Sequence, residues 1–255
     1  MNRQEQKKPG KLRLDRLLVE RSLAESRERA QALIFAGQVL VDGQKIDKAG
    51  AQVRSDADIR ILGEASAYVS RGGLKLEHAL KEFSVSVAGK TALDIGASTG
   101  GFTDCLLQNG CRRVYAVDVG YGQLAWKLRQ DPRVVAIERA NIRTLDASLI
   151  PEPVDLAVID VSFISLEKVI PPVVRFLRPV SEIIALIKPQ FEVGKDQVGK
   201  GGIVKDEEAR TAAVERISDF IKRQGLEVKG ITPSPITGQD GNVEFLVHAV
   251  RMQIT

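Results

Sequence analysis

Cysteine is nearly missing from this chain: Cys105 and Cys111 are the two among 255 residues. They stand six apart, with no metal-ligand or redox spacing, so both read as reduced thiols in or near a core. Histidine is as scarce; His78 falls in a predicted helix and His248 in a predicted strand, and both read as structural. Aromatic residues make up 5%, and the single tryptophan, Trp126, sits with Leu124 and Leu128 in a pattern that predicts helix packing. No run of eighteen apolar residues occurs, which excludes an expected spanning helix. The start, Met1-Asn2-Arg3-Gln4-Glu5-Gln6-Lys7-Lys8, lacks the apolar core of a signal peptide. A cytoplasmic protein is expected, with no membrane and no obligate protein partner.

What is present is an ordinary globular composition, 44% apolar and 27% charged, with its charge unevenly placed. Of 37 Lys/Arg and 33 Asp/Glu, 13 and 9 fall in residues 1–62, and the remainder is balanced. The net charge of +4 therefore belongs to the N-terminal quarter. A basic appendage on a neutral body points to an anionic polymer as partner.

In that quarter Leu14, Leu17 and Leu18 have helical spacing over Arg13 to Arg21, and Ser26 caps a second helix from Arg27 to Ala36. Val39–Val41, the Asp42-Gly43 turn and Gln44–Ile46 predict a hairpin, and Ile59–Leu62 closes a small sheet. Residues 63–70 are small and polar, a linker. From residue 71 a helix over Gly73–Phe83 leads into alternating strands and helices. Strands are predicted at Thr91–Ile95, Val114–Val117, Val134–Ile137, Leu156–Ile159, Ile183–Ile187, Leu226–Ile231 and Val243–Val250. Helices are predicted at Phe102–Gln108, Gln123–Leu128, Leu166–Phe176 and Glu207–Arg223. The expected organisation is a small α+β unit (1–62), a linker (63–70) and an α/β unit (71–255) built on a seven-stranded, mostly parallel sheet of Rossmann-like type.

The most informative stretch is Leu93-Asp94-Ile95-Gly96-Ala97-Ser98-Thr99-Gly100-Gly101-Phe102. It reads as a strand, a glycine turn and a helix start, where an α/β fold holds a nucleotide-like ligand. The glycines, Gly96, Gly100 and Gly101, are expected to let such a ligand approach the backbone. The pattern is not the G-x-G-x-x-G of dinucleotide sites, and Asp94 before the turn would repel a phosphate and attract a cation. S-adenosylmethionine, with an ammonium, a sulfonium, a ribose and no phosphate, fits that arrangement. Asp118 closes the next strand 24 positions later and suits ribose hydroxyls; Val119 follows it. Asn141, past the third strand, is either a reader of the adenine edge or a plain turn residue.

Two sets of motifs carry a family resemblance. Arg13-Leu14-Asp15, Ser26-Arg27 and Gly37-Gln38-Val39-Leu40-Val41-Asp42-Gly43 resemble the RNA-binding domain named after small-subunit ribosomal protein S-four. That resemblance implies Arg13, Arg16, Arg27 and Arg29 as RNA contacts, with Lys7, Lys8 and Lys11 as a basic lead. Nearly the whole chain is similar to the TlyA family of ribosomal RNA 2′-O-methyltransferases, long called hemolysins. Its carrying motifs are Tyr68–Leu76, Asp94–Phe102, Asp118–Leu124, Asp160–Leu166, Leu186–Glu192 and Gly241–Phe245.

The resemblance implies an FtsJ-like tetrad of Lys75, Asp160, Lys188 and Glu244 acting on a cytidine ribose of ribosomal RNA, in the large subunit. Lys188 is the expected base, Asp160 orients it and lies near the sulfonium, and Lys75 with Glu244 positions the ribose and balances charge. The cofactor would contact Asp94, Gly96, Ala97, Ser98, Thr99, Gly100, Gly101, Phe102, Asp118, Val119, Asn141 and Asp160. No metal is expected. A membrane-active cytolysin and a non-catalytic ribosome assembly factor are the competing readings. Gly194-Lys195-Asp196-Gln197-Val198-Gly199-Lys200-Gly201 resembles a phosphate loop but lacks its Ser/Thr, so it reads as a mobile basic loop near RNA.

Overall fold

The computed structural model describes residues 10–24, 26–62, 67–238 and 241–252. Lys7, Lys8 and the first half of the 63–70 linker (63–66) lie outside the described residues. The chain divides into two compact units, Met1–Arg71 and Gly72–Thr255.

In the first unit, β1 (Lys11–Arg13) runs directly into α1 (Leu14–Glu20), so the predicted helix starts one residue late and on a strand. After it come α2 (Arg27–Phe35), β2 (Val39–Val41), β3 (Gln44–Lys45), β4 (Gln52–Arg54) and β5 (Ile59–Ile61). Ser26 caps α2 by accepting a hydrogen bond from the Arg29 backbone N–H. β3, β2 and β5 form one sheet, and β1 pairs with β4 in another. The β4 strand was not predicted: Gln52-Val53-Arg54 offers one buried residue between two exposed ones, too short for alternation to register. Leu14, Leu17, Leu18, Ala30, Leu33, Ile34 and Val39 fill the core between helices and strands.

The second unit begins with α3 (Gly72–Glu82) and alternates from there. Its elements are β6 (Thr91–Ile95), α4 (Gly101–Gln108), β7 (Arg113–Val117), α5 (Trp126–Arg129), β8 (Val134–Ile137) and β9 (Val154–Ile159). They continue as α6 (Ile170–Val174), β10 (Leu177–Ile187), α7 (Pro189–Glu192), α8 (Glu207–Arg223), β11 (Glu227–Pro233) and β12 (Phe245–Arg251). The seven strands lie in the order β11-β12-β10-β9-β6-β7-β8, with β12 antiparallel to both neighbours and the other pairings parallel. Runs such as Val154-Asp155-Leu156-Ala157-Val158-Ile159 are almost continuously buried, as expected of a parallel sheet covered on both faces. The chain leaves β6 toward β7 and β8 and returns on the other side through β9 and β10. The C-terminal ends of β6 and β9 therefore flank the point where strand order reverses, the place where such sheets bind ligands.

Some expectations shift. The 166–176 helix is a 3₁₀ turn, Leu166–Lys168, followed by the five-residue α6, because Pro171 and Pro172 fit only a helix start. The predicted 123–128 helix is the short α5, and it does not bury its tryptophan: Leu124 and Leu128 are buried but Trp126 is 64% exposed. Both cysteines are buried. His248 sits inside β12 with its ring nitrogen 2.7 Å from Glu182 and its ring stacked on Phe83, a structural role as expected. His248 is the main cause holding the Glu182 carboxyl down to about 2, and Lys90 adds to it.

Candidate active site

The glycine turn at the end of β6 is built around the end of β9. Gly96 has φ +81°, and a Cβ there would run into the backbone carbonyl oxygen of Asp160. Gly100 has φ +95°, and its missing Cβ makes room for Leu124 and Leu128. At both positions the glycine admits neighbouring protein, a constraint beside the expected approach of a ligand. The exposed part of the turn is Ser98 and Thr99, whereas Ala97, Gly101 and Phe102 are buried.

Asp94 is completely buried. Its Oδ2 accepts a hydrogen bond from Thr103 Oγ1 at 2.6 Å, while Oδ1 is buried without a hydrogen-bond partner among the described residues. Burial pushes its carboxyl up to about 7; the Thr103 hydrogen bond opposes this, and the charges of Asp160 and Asp118 add to it. Asp118 closes β7 and binds two backbone groups: Ser98 N–H donates to Oδ2 at 2.8 Å and Gly120 N–H to Oδ1 at 2.6 Å. It thus ties the turn after β6 to the loop after β7 and keeps lone pairs for a ligand hydroxyl. Val119 is 72% exposed beside it. Asn141 is exposed, and its Oδ1 accepts from Arg143 N–H at 3.1 Å, the turn role weighed in the sequence.

An acidic recess with an orphaned carboxylate oxygen suits a cationic ligand and repels a phosphate. S-adenosylmethionine passes that test: Asp94 Oδ1 provides the missing partner of an ammonium, and Asp118 faces the same loops.

The four tetrad residues meet on the same edge of the sheet. Asp160 follows β9, Lys188 follows β10 and Glu244 precedes β12, and the register aligns Ile159 with Ala185 and Ile187 with Phe245. Lys75 arrives from α3. Lys188 Nζ lies 2.6 Å from Asp160 Oδ1, a charge contact out of line for a hydrogen bond, and donates to Ser162 Oγ at 3.0 Å. Lys75 Nζ donates to Glu244 Oε2 at 2.5 Å. Lys75, Lys188 and Glu244 are buried, and the Asp160 side chain is about one-fifth exposed (21%). The Asp160 N–H bonds Ile95 O at 2.9 Å, which joins this cluster to the glycine turn.

Several residues around the tetrad carried no role in the sequence reading. Ser162 holds Lys188. Buried Glu192 accepts from Ser165 Oγ at 2.6 Å and from Leu166 N–H at 2.9 Å, so α7 braces the loop that follows Asp160; burial raises its pKa. Buried Asn242 accepts from Val204 N–H at 3.0 Å and donates to Gly202 O at 2.8 Å. Asn242, two residues ahead of Glu244, therefore ties down Gly202 and Val204, which follow the glycine-rich 194–201 loop. Phe163, three residues after Asp160, has φ +65° and is 90% exposed, with its ring 5.0 Å from that of Phe191. An exposed aromatic in left-handed backbone close to the Lys188–Asp160 pair is a feature that only coordinates reveal.

In the first unit, Arg13 and Arg27 both pair with the buried Asp15, at 2.8 and 3.2 Å, and Arg16 pairs with Glu20 at 2.9 Å. Arg13, Arg16 and Arg27 remain 45%, 66% and 56% exposed. Arg29 sits on α2, where its backbone N–H completes the Ser26 cap.

Comparison with known proteins agrees with this geometry. The family described as FtsJ-like methyltransferase matches residues 68–251, and the S4 domain matches residues 12–59. The chain is 47% identical over 92% of its length, and 88% of the relative's, to the 16S/23S rRNA (cytidine-2′-O)-methyltransferase TlyA of Mycobacterium tuberculosis. It is 34% identical over 91% of its length, and 84% of the relative's, to the 23S rRNA (cytidine-2′-O)-methyltransferase TlyA of Campylobacter jejuni. A solved Streptococcus thermophilus protein that bears a hemolysin name is 44% identical, with a TM-score of 0.76 over 95% of this chain and 89% of that one.

Proposed function

From the chain's membership of the FtsJ-like methyltransferase family, we propose that it methylates the 2′ oxygen of a cytidine ribose in ribosomal RNA. The observation that carries this reading is the placement of two lysine–acid pairs on one edge of the sheet, with Lys188–Asp160 next to the Gly96 turn. Both relatives' names include the large-subunit RNA, and we place the target there. With such a substrate, the protein works in the cytoplasm.

S-adenosylmethionine, when bound, supplies a methyl group on a sulfonium. Asp94 would hold its ammonium end, the backbone of residues 96–101 with exposed Ser98 and Thr99 would border it, and Asp118 would take its ribose hydroxyls. Asn141 and Val119 lie toward the adenine.

The target hydroxyl is a weak nucleophile and must lose its proton as it is alkylated. Lys188 Nζ receives that proton as a neutral amine, having first released its own ammonium proton to solvent. Asp160 and Ser162 fix where Nζ points, so the acceptor is in place before RNA arrives. Lys75 and Glu244 neutralise one another and offer the ribose one donor and one acceptor. Phe163 and Phe191 offer an exposed aromatic surface for the target base next to the reacting sugar. The basic faces of Arg13, Arg16, Arg27 and Arg29 hold RNA phosphates in the first unit.

Among the described residues no helix is long and apolar enough to cross a membrane, and no observation favours the cytolysin reading. The intact tetrad likewise speaks against a non-catalytic assembly factor. The test is incubation with methyl-labelled S-adenosylmethionine and unmodified ribosomal subunits. Label in RNA that disappears when the target 2′ oxygen is already methylated supports the proposal; vesicle lysis without label in RNA refutes it.

A further inference from the structure

Asp15 is a carboxylate with no access to solvent on a unit whose surplus charge is positive. Five donors converge on it. Arg13 Nε and the Arg16 backbone N–H reach Oδ1 at 3.0 and 2.9 Å. Arg13 Nη2, Arg27 Nη2 and Gln31 Nε2 reach Oδ2 at 2.8, 3.2 and 3.1 Å. Two guanidiniums from different elements, one at the end of β1 and one opening α2, are thereby brought onto a single oxygen. Guanidiniums otherwise repel one another and sample many rotamers; a shared buried anion removes both obstacles.

The arrangement leaves donors outward. A guanidinium has five N–H groups. Arg13 uses two on Asp15 and Arg27 uses one, and both side chains stay about half exposed. One negative charge facing two positive ones leaves a net positive pair whose unused N–H groups face water. Such a paired fork matches the oxygens of a phosphate.

We propose that Asp15 is a positioning residue of the RNA-binding unit, holding Arg13 and Arg27 together as one preformed receptor for an RNA backbone phosphate. This rests on the RNA reading above and adds a residue of the wrong charge sign to it. Simple electrostatics makes the opposite forecast, since removing an acid from a basic face strengthens RNA binding.

The test titrates full-length protein against protein-free large-subunit ribosomal RNA across 50 to 200 mM salt. Asp15→Asn is expected to weaken binding about five- to tenfold and to reduce the log–log salt slope by about one, the share of a single phosphate. In methyl transfer the loss is expected on KM for RNA rather than on kcat. In an Arg13→Ala/Arg27→Ala background, Asp15→Asn is expected to cause no further loss. Unchanged or tighter binding by Asp15→Asn, or the same loss in that background, overturns the proposal. If Asp15→Asn does not fold, Arg13→Lys with Arg27→Lys carries the test: charge is kept but the fork is lost, so weaker binding supports the receptor and equal binding overturns it. Wild-type protein that binds this RNA but transfers no methyl would sink the proposed activity and leave the Asp15 result to stand on binding alone.

Discussion

Gly96 and Asp160 share one space: the hydrogen at the Gly96 Cα lies where any side chain would meet the Asp160 carbonyl oxygen. The turn after β6 and the end of β9 are therefore packed directly against each other. Gly96→Ala adds a methyl to that contact at φ +81°, where a side chain is strained by about 1–3 kcal/mol before the clash is counted. A melting point lowered by several degrees and loss of S-adenosylhomocysteine binding in calorimetry are expected. Normal binding by Gly96→Ala would contradict this coupling.

Asp94 makes stability depend on pH in an uncommon direction. Its carboxyl is raised to about 7, from an unfolded value of about 3.9. The folded state therefore holds the proton more tightly, and the stabilisation is full below about pH 4 and lost as pH rises through 7. In ligand-free protein this contribution falls from pH 4 to 7, and Asp94→Asn removes that slope. An ammonium ligand favours the ionised form, so stabilisation by S-adenosylhomocysteine is expected to grow through the same window. Urea melts at several pH values, with and without ligand, check both slopes.

The Lys75–Glu244 pair separates structure from chemistry. Removing one partner of a buried ion pair costs about 3–5 kcal/mol, because the other charge is left uncompensated. Lys75→Met is expected to destabilise on that scale. Lys75→Met with Glu244→Leu is expected to recover most of the stability and none of the methyl transfer. Recovery of activity in the double variant would show that the pair is purely structural.

Phe163 is 90% exposed, so its removal takes away almost no packing. Phe163→Ala is expected to change stability by no more than about 0.5 kcal/mol. Its KM for RNA is expected to rise about tenfold, with S-adenosylhomocysteine affinity unchanged, as measured by steady-state kinetics and calorimetry.

Much of the fold was legible in the sequence because it is written in burial. The runs at Thr91–Ile95 and Val154–Ile159 are mostly apolar and almost wholly buried, and Ser26 caps its helix as short polar residues do. The three-residue β1 and β4 and the proline-opened α7 were not, and α6 was read as part of a longer helix, since too little period accumulates in them. The tetrad residues and their grouping were legible as motifs through the family resemblance, whereas their distances and burial are supplied by the fold. The packing roles of Gly96 and Gly100 and the role of Asp15 were missed for one reason. Each is set by a contact with a segment distant in the chain or by a shared buried oxygen, and local spacing records neither.

The most direct measurement follows methyl label from S-adenosylmethionine into ribosomal RNA by wild-type protein and by Lys188→Ala. The expected result is label at a cytidine 2′ oxygen with wild type, and at least a thousandfold slower transfer by Lys188→Ala that still binds S-adenosylhomocysteine. Transfer at the wild-type rate by Lys188→Ala would contradict the account.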